Sequence, residues 1–420
     1  MALGRLLVGK ETAAKQAVPS GIQNHMVVPA FGGRPNLNGI LEPDGSFETF
    51  VSQGYRRNEL VYACITEKAQ SLPQAIMRVY PAGPSQEPLN DHRLRKLIED
   101  PNPLISEFEF FELLVTYLDL AGICYTFIVR GRDGLPSELW PLRPDLVGVL
   151  PSARDPNVYA WVYRPDPAQP NVQIVIPRSD VIAVKYPNPN PLNPADRYFG
   201  QAPLRPAARA ISLDNAATDF VDQLLRNEAT PTTVITTSEA MDAALAERLL
   251  ARWKARFSGG YRGGPMVLQK GMEVKVLGLN LRDLEFPDLR TISETRICMA
   301  FGVPPILIGA KVGLDRSTFS NYAEARVSFW DEALGSLQRR FIDPFRTALL
   351  PGFTGVGRRP ITLDWDTSQV RALREAESAK WERATNALAR GGITQNDFRR
   401  TVGLPPVPGG DVFLIPAGVT

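Results

Sequence analysis

The spacing of apolar residues changes along this chain, and each change marks a new element. From Glu59 a helix-like segment, VYACITEKAQSL, meets Pro73 and gives way to the strand-like run AIMRVY. The stretch SEFEFFELLVTYLDL opens with Ser106 and Glu109 at the spacing of a capping box, which predicts a helix over Glu107–Leu120. Six short runs follow: ICYTFIVRG, ELWPLRP, LVGVLP, VYAWVYRP, VQIVIP and DVIAVKYP. Most are closed by Pro or Gly, and Tyr159, Trp161 and Tyr163 alternate as a strand requires. They predict a mostly antiparallel sheet with helices on one side.

At Leu204 the period becomes helical. Leu204, Ala208, Ile211, Phe220 and Leu224 share a face, while Asp222 and Arg226 have the spacing of a favourable ion pair. The helix would run to about 37 Å at its usual rise. A small α/β module, Thr230–Leu279, comes next. It contains the strand TPTTVITT, a helix opened by Ser238 with its stripe at Met241, Leu245, Leu249, Trp253 and Phe257, the loop GGYRGG, and PMVLQKG with MEVKVLGL as a hairpin. A second helix from about Asp283 to Phe301 closes a helix–module–helix order. The next stretch, AFGVPPILIGA, stops that helix at Gly302, which suits a left-handed C-terminal position, with Pro304 preventing continuation. Ile306–Ile308 is expected as a short extended anchor. After it, Ala310–Ser320 is small, polar and loop-like, and Asn321 with Glu324 resembles a helix start. The following long helix carries Pro344 as an expected kink. Strand ITLDW leads to a helix from about Ser368 to Arg390, with Asp366 expected as its N-cap and Gly391 at its end. Thr394 and Asp397 form another capping-box spacing, and that last helix closes at Gly403. No internal repeat is present, and residues 1–45 lack any period, as a flexible arm would.

Composition narrows the function classes. At 420 residues several lobes are expected, and 44% apolar with 22% charged content is that of a globular chain. With 47 Lys plus Arg against 45 Asp plus Glu, the chain lacks the basic excess of a protein that grips phosphates. Cys64, Cys124 and Cys298 show neither zinc spacing nor a disulfide framework, which suits a reducing compartment. The first residues have no continuous apolar core of a secretory signal. The run LLVTYLDLAGICYTFIV is interrupted by Asp119 and Gly122, so it reads as a helix end and a buried strand rather than a membrane span.

Catalytic chemistry has little to stand on. Only His25, in the arm, and His92, in a polar loop and expected to be solvent-exposed, could act as histidine bases, and no GxSxG motif accompanies them. Asp364 and Asp366 point the same way in a strand and could share a metal with one further carboxylate. The glycine-rich GGYRGGP, Gly259–Pro265, lacks the Lys-Ser/Thr of a phosphate loop. Its basic, aromatic surroundings, Trp253, Arg256, Tyr261 and Arg262, fit either a protein contact or a solvated tip. Lys311 and Arg316 could meet phosphate, with Asp315 between them weakening a fixed grip.

Four phrases occur together and in order. GQAPLRPAARAISLDNAATDFVDQLLRNEATPTTVI resembles the region leading into the stem of tailed-phage portal proteins. AFGVPPILIG resembles their Phe-Gly-Val-Pro-Pro element, SNYAEARVSFWDEALGSLQRRFIDPF their following long helix, and GGITQNDFRRTVGLPPVPGGD their C-terminal stretch. The likeness covers about Gly200–Asp411. It implies an α+β subunit with residues 1–45 as arm, 46–202 as wing and 203–229 as first stem helix. Residues 230–281 would be the clip, 282–302 the second stem helix, 303–365 a continuation of the wing, and 366–420 the crown. Within residues 310–320 the resemblance implies a tunnel loop facing DNA through Lys311, Val312, Gly313, Leu314, Asp315, Arg316, Ser317 and Thr318. Trp253, Arg256, Tyr261 and Arg262 become the clip's contacts with the motor or connector. The implied assembly is a closed ring of about twelve identical subunits joined head to tail, with the amphipathic stem helices as contact faces. It sits at one capsid vertex of the virion, after assembly in the host cytoplasm, and passes double-stranded DNA without sequence specificity. The implied partners are the terminase large subunit, a head–tail adaptor, and the major capsid and scaffolding proteins, with no membrane, no cofactor and no catalysis. Two alternatives stay open on the residues: a metal-dependent nuclease or hydrolase using Asp364 and Asp366, and a minor head or adaptor protein that forms no ring of its own.

Overall fold

The computed structural model describes residues 28–29, 46–83, 87–151, 158–166, 169, 172–189, 197–226, 232–237, 272–277, 286–314, 319–354, 360–374 and 377–413, with scattered positions between 242 and 251. A short helix, α1 (Phe47–Thr49), runs into a π-helical turn, Phe50–Tyr55. Helix α2 (Glu59–Ser71) starts where the Asn58 side chain accepts from Val61 N–H. It ends in a 3-10 turn at Pro73, and β2 (Ile76–Pro81) follows. Helices α3 (Arg93–Glu99) and α4 (Glu107–Ala121) lead to β3 (Ile123–Arg130) and β4 (Pro136–Leu142). The Ser106–Glu109 capping box is formed as its spacing requires.

Helix α4 is the spine of the core. Phe110, Phe111, Leu114, Val115 and Leu118 are all buried. Phe111 meets Phe341 at 6.1 Å, Phe345 at 5.8 Å and Trp365 at 5.1 Å between ring centroids. Each fully buried side chain of this size contributes about 1.5–3 kcal/mol of transfer free energy.

The six strand-like runs all form strands, and every pairing is antiparallel, but they do not make one sheet. β4, β3 and β8 (Val181–Lys185) form a three-stranded sheet. β5 (Val147–Pro151), β6 (Val158–Tyr163) and β7 (Ile174–Pro177) form a separate sheet. That second sheet gains a fourth strand from the expected arm: β1 (Val28–Pro29) pairs Val28 with Val149. The remainder of residues 1–45 lies outside the described residues. Trp161 turns inward onto Tyr125, with ring centroids 5.0 Å apart, so the alternation of β6 serves the joint between the two sheets.

Helix α5 (Leu204–Arg226) follows, and β9 (Thr232–Thr237) pairs antiparallel with β10 (Met272–Leu277). The helix expected after Ser238 is helical at Ala244, Ala246–Arg248 and Ala251; its apolar stripe and the run PMVLQKG lie outside the described residues. Helix α6 (Phe286–Phe301) returns and packs on α5. So the inserted module closes through its first and last strands.

Helix α7 (Lys311–Leu314) is a single turn, and α8 (Phe319–Ser328) continues through a π-helical turn, Phe329–Leu334, into α9 (Gly335–Phe353). Pro344 and Pro351 sit inside α9, which remains one helix across both. The departure from α geometry falls earlier, at the π turn, where Phe329 and Trp330 are buried. Asn321 lies within α8 and does not start it, because helix already exists at Phe319.

Strand β11 (Ile361–Asp366) pairs antiparallel with β2, placing Trp365 opposite Met77. The helix expected from Ser368 begins nine residues later, as α10 (Glu377–Ala389). Asp366 does cap, but it caps a turn: its Oδ1 accepts from Ser368 N–H at 2.9 Å, and a 3-10 turn at Arg371–Leu373 follows. Helix α10 closes at Gly391, and α11 (Gln395–Thr401) has the Thr394–Asp397 capping box. His92 also departs from its expected exposed place. It caps α3 by accepting from Leu94 N–H at 3.1 Å and packs its ring on Phe353. Partial burial lowers its pKa. The molecule is α+β, as the pattern predicts.

Candidate functional site

The candidate site is the clamped turn after α6. Helix α6 stops in a doubly bonded cap: Gly302 N–H donates to Met299 O at 3.2 Å, and Val303 N–H donates to Cys298 O at 3.0 Å. Gly302 takes φ 68°, which a side chain would strain. Pro304 then starts the 3-10 turn Pro305–Ile308, so the expected extended anchor is a helical turn instead. The reason is local: Leu307 N–H reaches Pro304 O at 3.0 Å, and this turns Leu307 into the core.

The chain then doubles back on itself. Ala310 is buried, and Gly313 lies so close to the preceding turn that a Cβ there would sit 2.3 Å from Ile306 N. Lys311 and Leu314 are exposed, while Val312 and Gly313 are half-buried. Residues Asp315, Arg316, Ser317 and Thr318 lie outside the described residues, as do Trp253, Arg256, Tyr261 and Arg262 of the module tip. Four of the eight expected loop residues are therefore placed together on one turn. None of the four tip residues is placed.

Both arms of the clamp are tied to one helix, α2. Arg290 of α6 bonds Glu59 at 2.6 Å. Arg326 of α8 pairs with Glu67 and takes a hydrogen bond partner in Tyr322 Oη at 2.7 Å. Between these, Cys64 contacts Cys298 of α6; its hydrogen bond to that sulfur, then burial, push its thiol far above the ordinary range. Lys68 Nζ bonds Asp119 of α4 at 2.8–2.9 Å, with both side chains almost fully buried. Tyr186 Oη donates to Asp119 Oδ1 at 2.7 Å, and Arg340 of α9 lies over the Tyr186 ring at 4.9 Å. Burial first, and Asp119 second, raise the Tyr186 hydroxyl well above its ordinary value. One helix thus holds α4, α6 and α8 in fixed relation.

A second buried polar joint lies where α5 meets α6. Asn58 Nδ2 donates to Asp214 at 2.8 Å and to Asn215 at 3.1 Å, and Arg290 Nε lies 3.6 Å from Asp214. Burial raises the Asp214 carboxyl above the usual range, against the Asn58 hydrogen bond and the Arg290 charge.

The sequence reading missed these ties. Its available signals were a single Lys on the buried face of α2, four residues after Cys64, and a single Asp on the apolar face of α4. A lone buried charge requires a partner, but nothing in the chain order says which of many it is.

The carboxylate pair considered for metal chemistry is engaged otherwise. Asp366 pairs with Arg78 at 2.7 Å and Asp364 with Arg346 at 3.5 Å. Partial burial pushes Asp366 up, but hydrogen bonds from Ser368 and the Arg78 charge outweigh it and hold the carboxyl below its usual range. Two guanidiniums beside two carboxylates leave no net negative charge to attract a divalent cation. Among the described residues no group of three His, Cys, Asp or Glu converges, and no described helix is long and apolar enough to cross a membrane.

Among the described residues, two packed helices flank the β9–β10 pair in chain order, beside a clamped turn in an α+β body. The family model described as phage portal protein matches residues 59–403. The chain belongs to that family. A protein of Rickettsia felis is 29% identical over 86% of this chain and 90% of its own length. The portal protein of Enterobacteria phage HK97 is 26% identical, covering 78% of this chain and 73% of its own. Among solved structures, the neck of the gene transfer agent (GTA) particle is 26% identical, in its empty form with C6 symmetry and its native form with C12 symmetry. These cover 90% of this chain and 96% and 98% of theirs, with TM-scores of 0.65 and 0.63.

Proposed function

We propose that copies of this chain close into a ring at one capsid vertex, through which double-stranded DNA is packaged and later released. The observation that carries this reading is the helix–module–helix hairpin with its clamped turn, lying within a family match that spans most of the chain. Twelve subunits is the expected number, on the likeness to the native GTA neck. Rotation of one subunit onto the next makes every contact heterologous, so the ring forms only where the rotation closes.

In this reading α5 and α6 are the stem, the β9–β10 module is the clip, and the segment around α7 reaches the channel. Helices α10 and α11 make the crown, and the remainder is the wing. The clip serves as the docking face for a packaging ATPase and a head–tail connector. The formal charge of +2 suits a passive channel, since cationic contacts summed along a duplex would hold DNA in place. Lys311 supplies one exposed positive group on the channel turn, with Leu314 beside it.

The test is mass photometry with negative-stain imaging of the purified chain, where rings with a central hole are expected. A stable monomer under capsid-assembly conditions overturns the reading and favours a minor head or adaptor protein. Deleting residues 312–318 is expected to leave rings intact and to reduce DNA packaged per particle; full-length packaging by that variant removes the channel assignment of α7.

A further inference from the structure

The hairpin carries two open faces. On α5 the buried side is Ala207, Ile211, Asp214 and Asn215. At 100° per residue, the opposite side holds Pro206, Arg209, Leu213 and Ala216, all exposed, with Leu213 at 44%. On α6 the buried side is Ser293, Ile297 and Cys298, and the opposite side holds Ile292, Thr295, Arg296 and Met299. Ile292 is 47% and Met299 73% exposed. The buried side of α6 meets α5 and α2, and that of α5 meets α6 and the π-helical turn Phe50–Tyr55, so the two open stripes face away from one another. A monomer gains nothing from a bare methionine and isoleucine on one helix and a bare leucine on the next.

We infer that, in the ring, the α5 stripe of each copy packs against the α6 stripe of the next, with Leu213 against Ile292 of the neighbouring copy. The inference rests on the ring proposed above and adds the pairing. Cyclic closure needs two different faces on one subunit, and the hairpin presents two on opposite sides. Rotation about a ring axis does not change height along it, so with the hairpin along that axis residues can meet only at their own level. Asp214 and Arg290, 3.6 Å apart, set that level. They put Leu213 beside Ile292 in height. Seven residues further toward the body on each helix, Pro206 comes level with Met299. Ala216 and Thr295 are small enough for the backbones to approach. Arg209, exposed between Pro206 and Leu213, lies level with Thr295, whose Oγ can accept from it while its stem covers apolar surface.

The test uses the full chain, whose native cysteines Cys64, Cys124 and Cys298 are all buried. A double variant, Leu213→Cys with Ile292→Cys, is assembled into rings, verified by mass photometry, and oxidised with copper phenanthroline. A ladder of cross-linked multimers ending at the closed ring is expected on non-reducing gels, with each single variant staying monomeric. Verified rings without a ladder overturn the pairing and leave the ring reading intact. Wild-type protein that forms no rings counts against the ring reading itself. If the cysteine variant does not assemble, a charge exchange decides. Leu213→Glu is expected to abolish rings, and adding Ile292→Lys to restore them; loss without restoration, or rings unaffected by Leu213→Glu, overturns the pairing.

Discussion

Helices α4 and α5 solve the same problem, burying an amphipathic face with a charge in it, in different ways. α4 buries eight of its residues, and its Asp119 is matched by Lys68 and Tyr186 within the chain. α5 is buried only along its first half, through Asn215, and among its described residues none beyond that point is buried. Its Asp214 accepts from Asn58, which also donates to the neighbouring Asn215, and lies 3.6 Å from Arg290. The body of the subunit is complete by itself. The hairpin is anchored at one end and presents surface along its outer half. The difference concentrates buried contacts in the body and exposed surface on the hairpin.

The largest expected effect tests the body. Asp119→Ala strands the Lys68 ammonium in the core and should cost about 3–5 kcal/mol in denaturant unfolding. Replacing the pair together, Lys68→Met with Asp119→Leu, should recover most of that loss. A small effect for Asp119→Ala would mean that water reaches Lys68 and that the body is not the tighter region.

Gly302→Ala comes next. It forces a side chain into φ 68° at the base of the clamp and should cost about 1–2 kcal/mol. The same assay reads it, and a neutral result would show that α6 ends differently in solution.

Asp214→Asn should have the smallest effect at neutral pH, below about 1 kcal/mol, because the amide keeps the Asn58 contact. Its pH dependence is the sharper readout. The Asp214 carboxyl is raised in the folded state by burial, so the folded protein holds that proton more tightly than the unfolded chain. Its contribution is present below the unfolded carboxylate pKa and is lost as pH rises through the folded one. The difference between wild type and Asp214→Asn should therefore move in favour of wild type as pH falls toward 4 from about 7. Parallel melts across that range measure it. A difference independent of pH would place Asp214 in water and remove the contrast with α4 from the opposite side.

Much of the local structure was legible in the residues. Ser106 with Glu109 and Thr394 with Asp397 form the capping boxes their spacing announces, and Gly302, Gly391 and Gly403 end helices where the apolar period stops. These features involve groups three to six residues apart, so their geometry is settled by backbone and side-chain reach alone. The readings that failed needed distant partners. Asp366 is drawn to Arg78 because β11 pairs with β2, which displaces the expected helix start to Glu377. The six strands divide into two sheets, with Trp161 and Tyr125 packed across the joint, a contact between residues 36 positions apart.

By itself, then, the sequence determined the kind and order of most helices and strands, the caps at Ser106 and Thr394, an insertion between two long helices, and the proline-bounded end of α6. Capping, periodicity and turn chemistry act over a few residues and are written in order along the chain. Only the tertiary structure decided that Glu59, Cys64, Glu67 and Lys68 of one helix would hold three others, and that Leu213 and Ile292 would stand uncovered at one level. Those outcomes depend on which buried charges and which apolar faces meet across hundreds of residues. That choice is made by the packing of the whole body, where each desolvated group must find its partner at once.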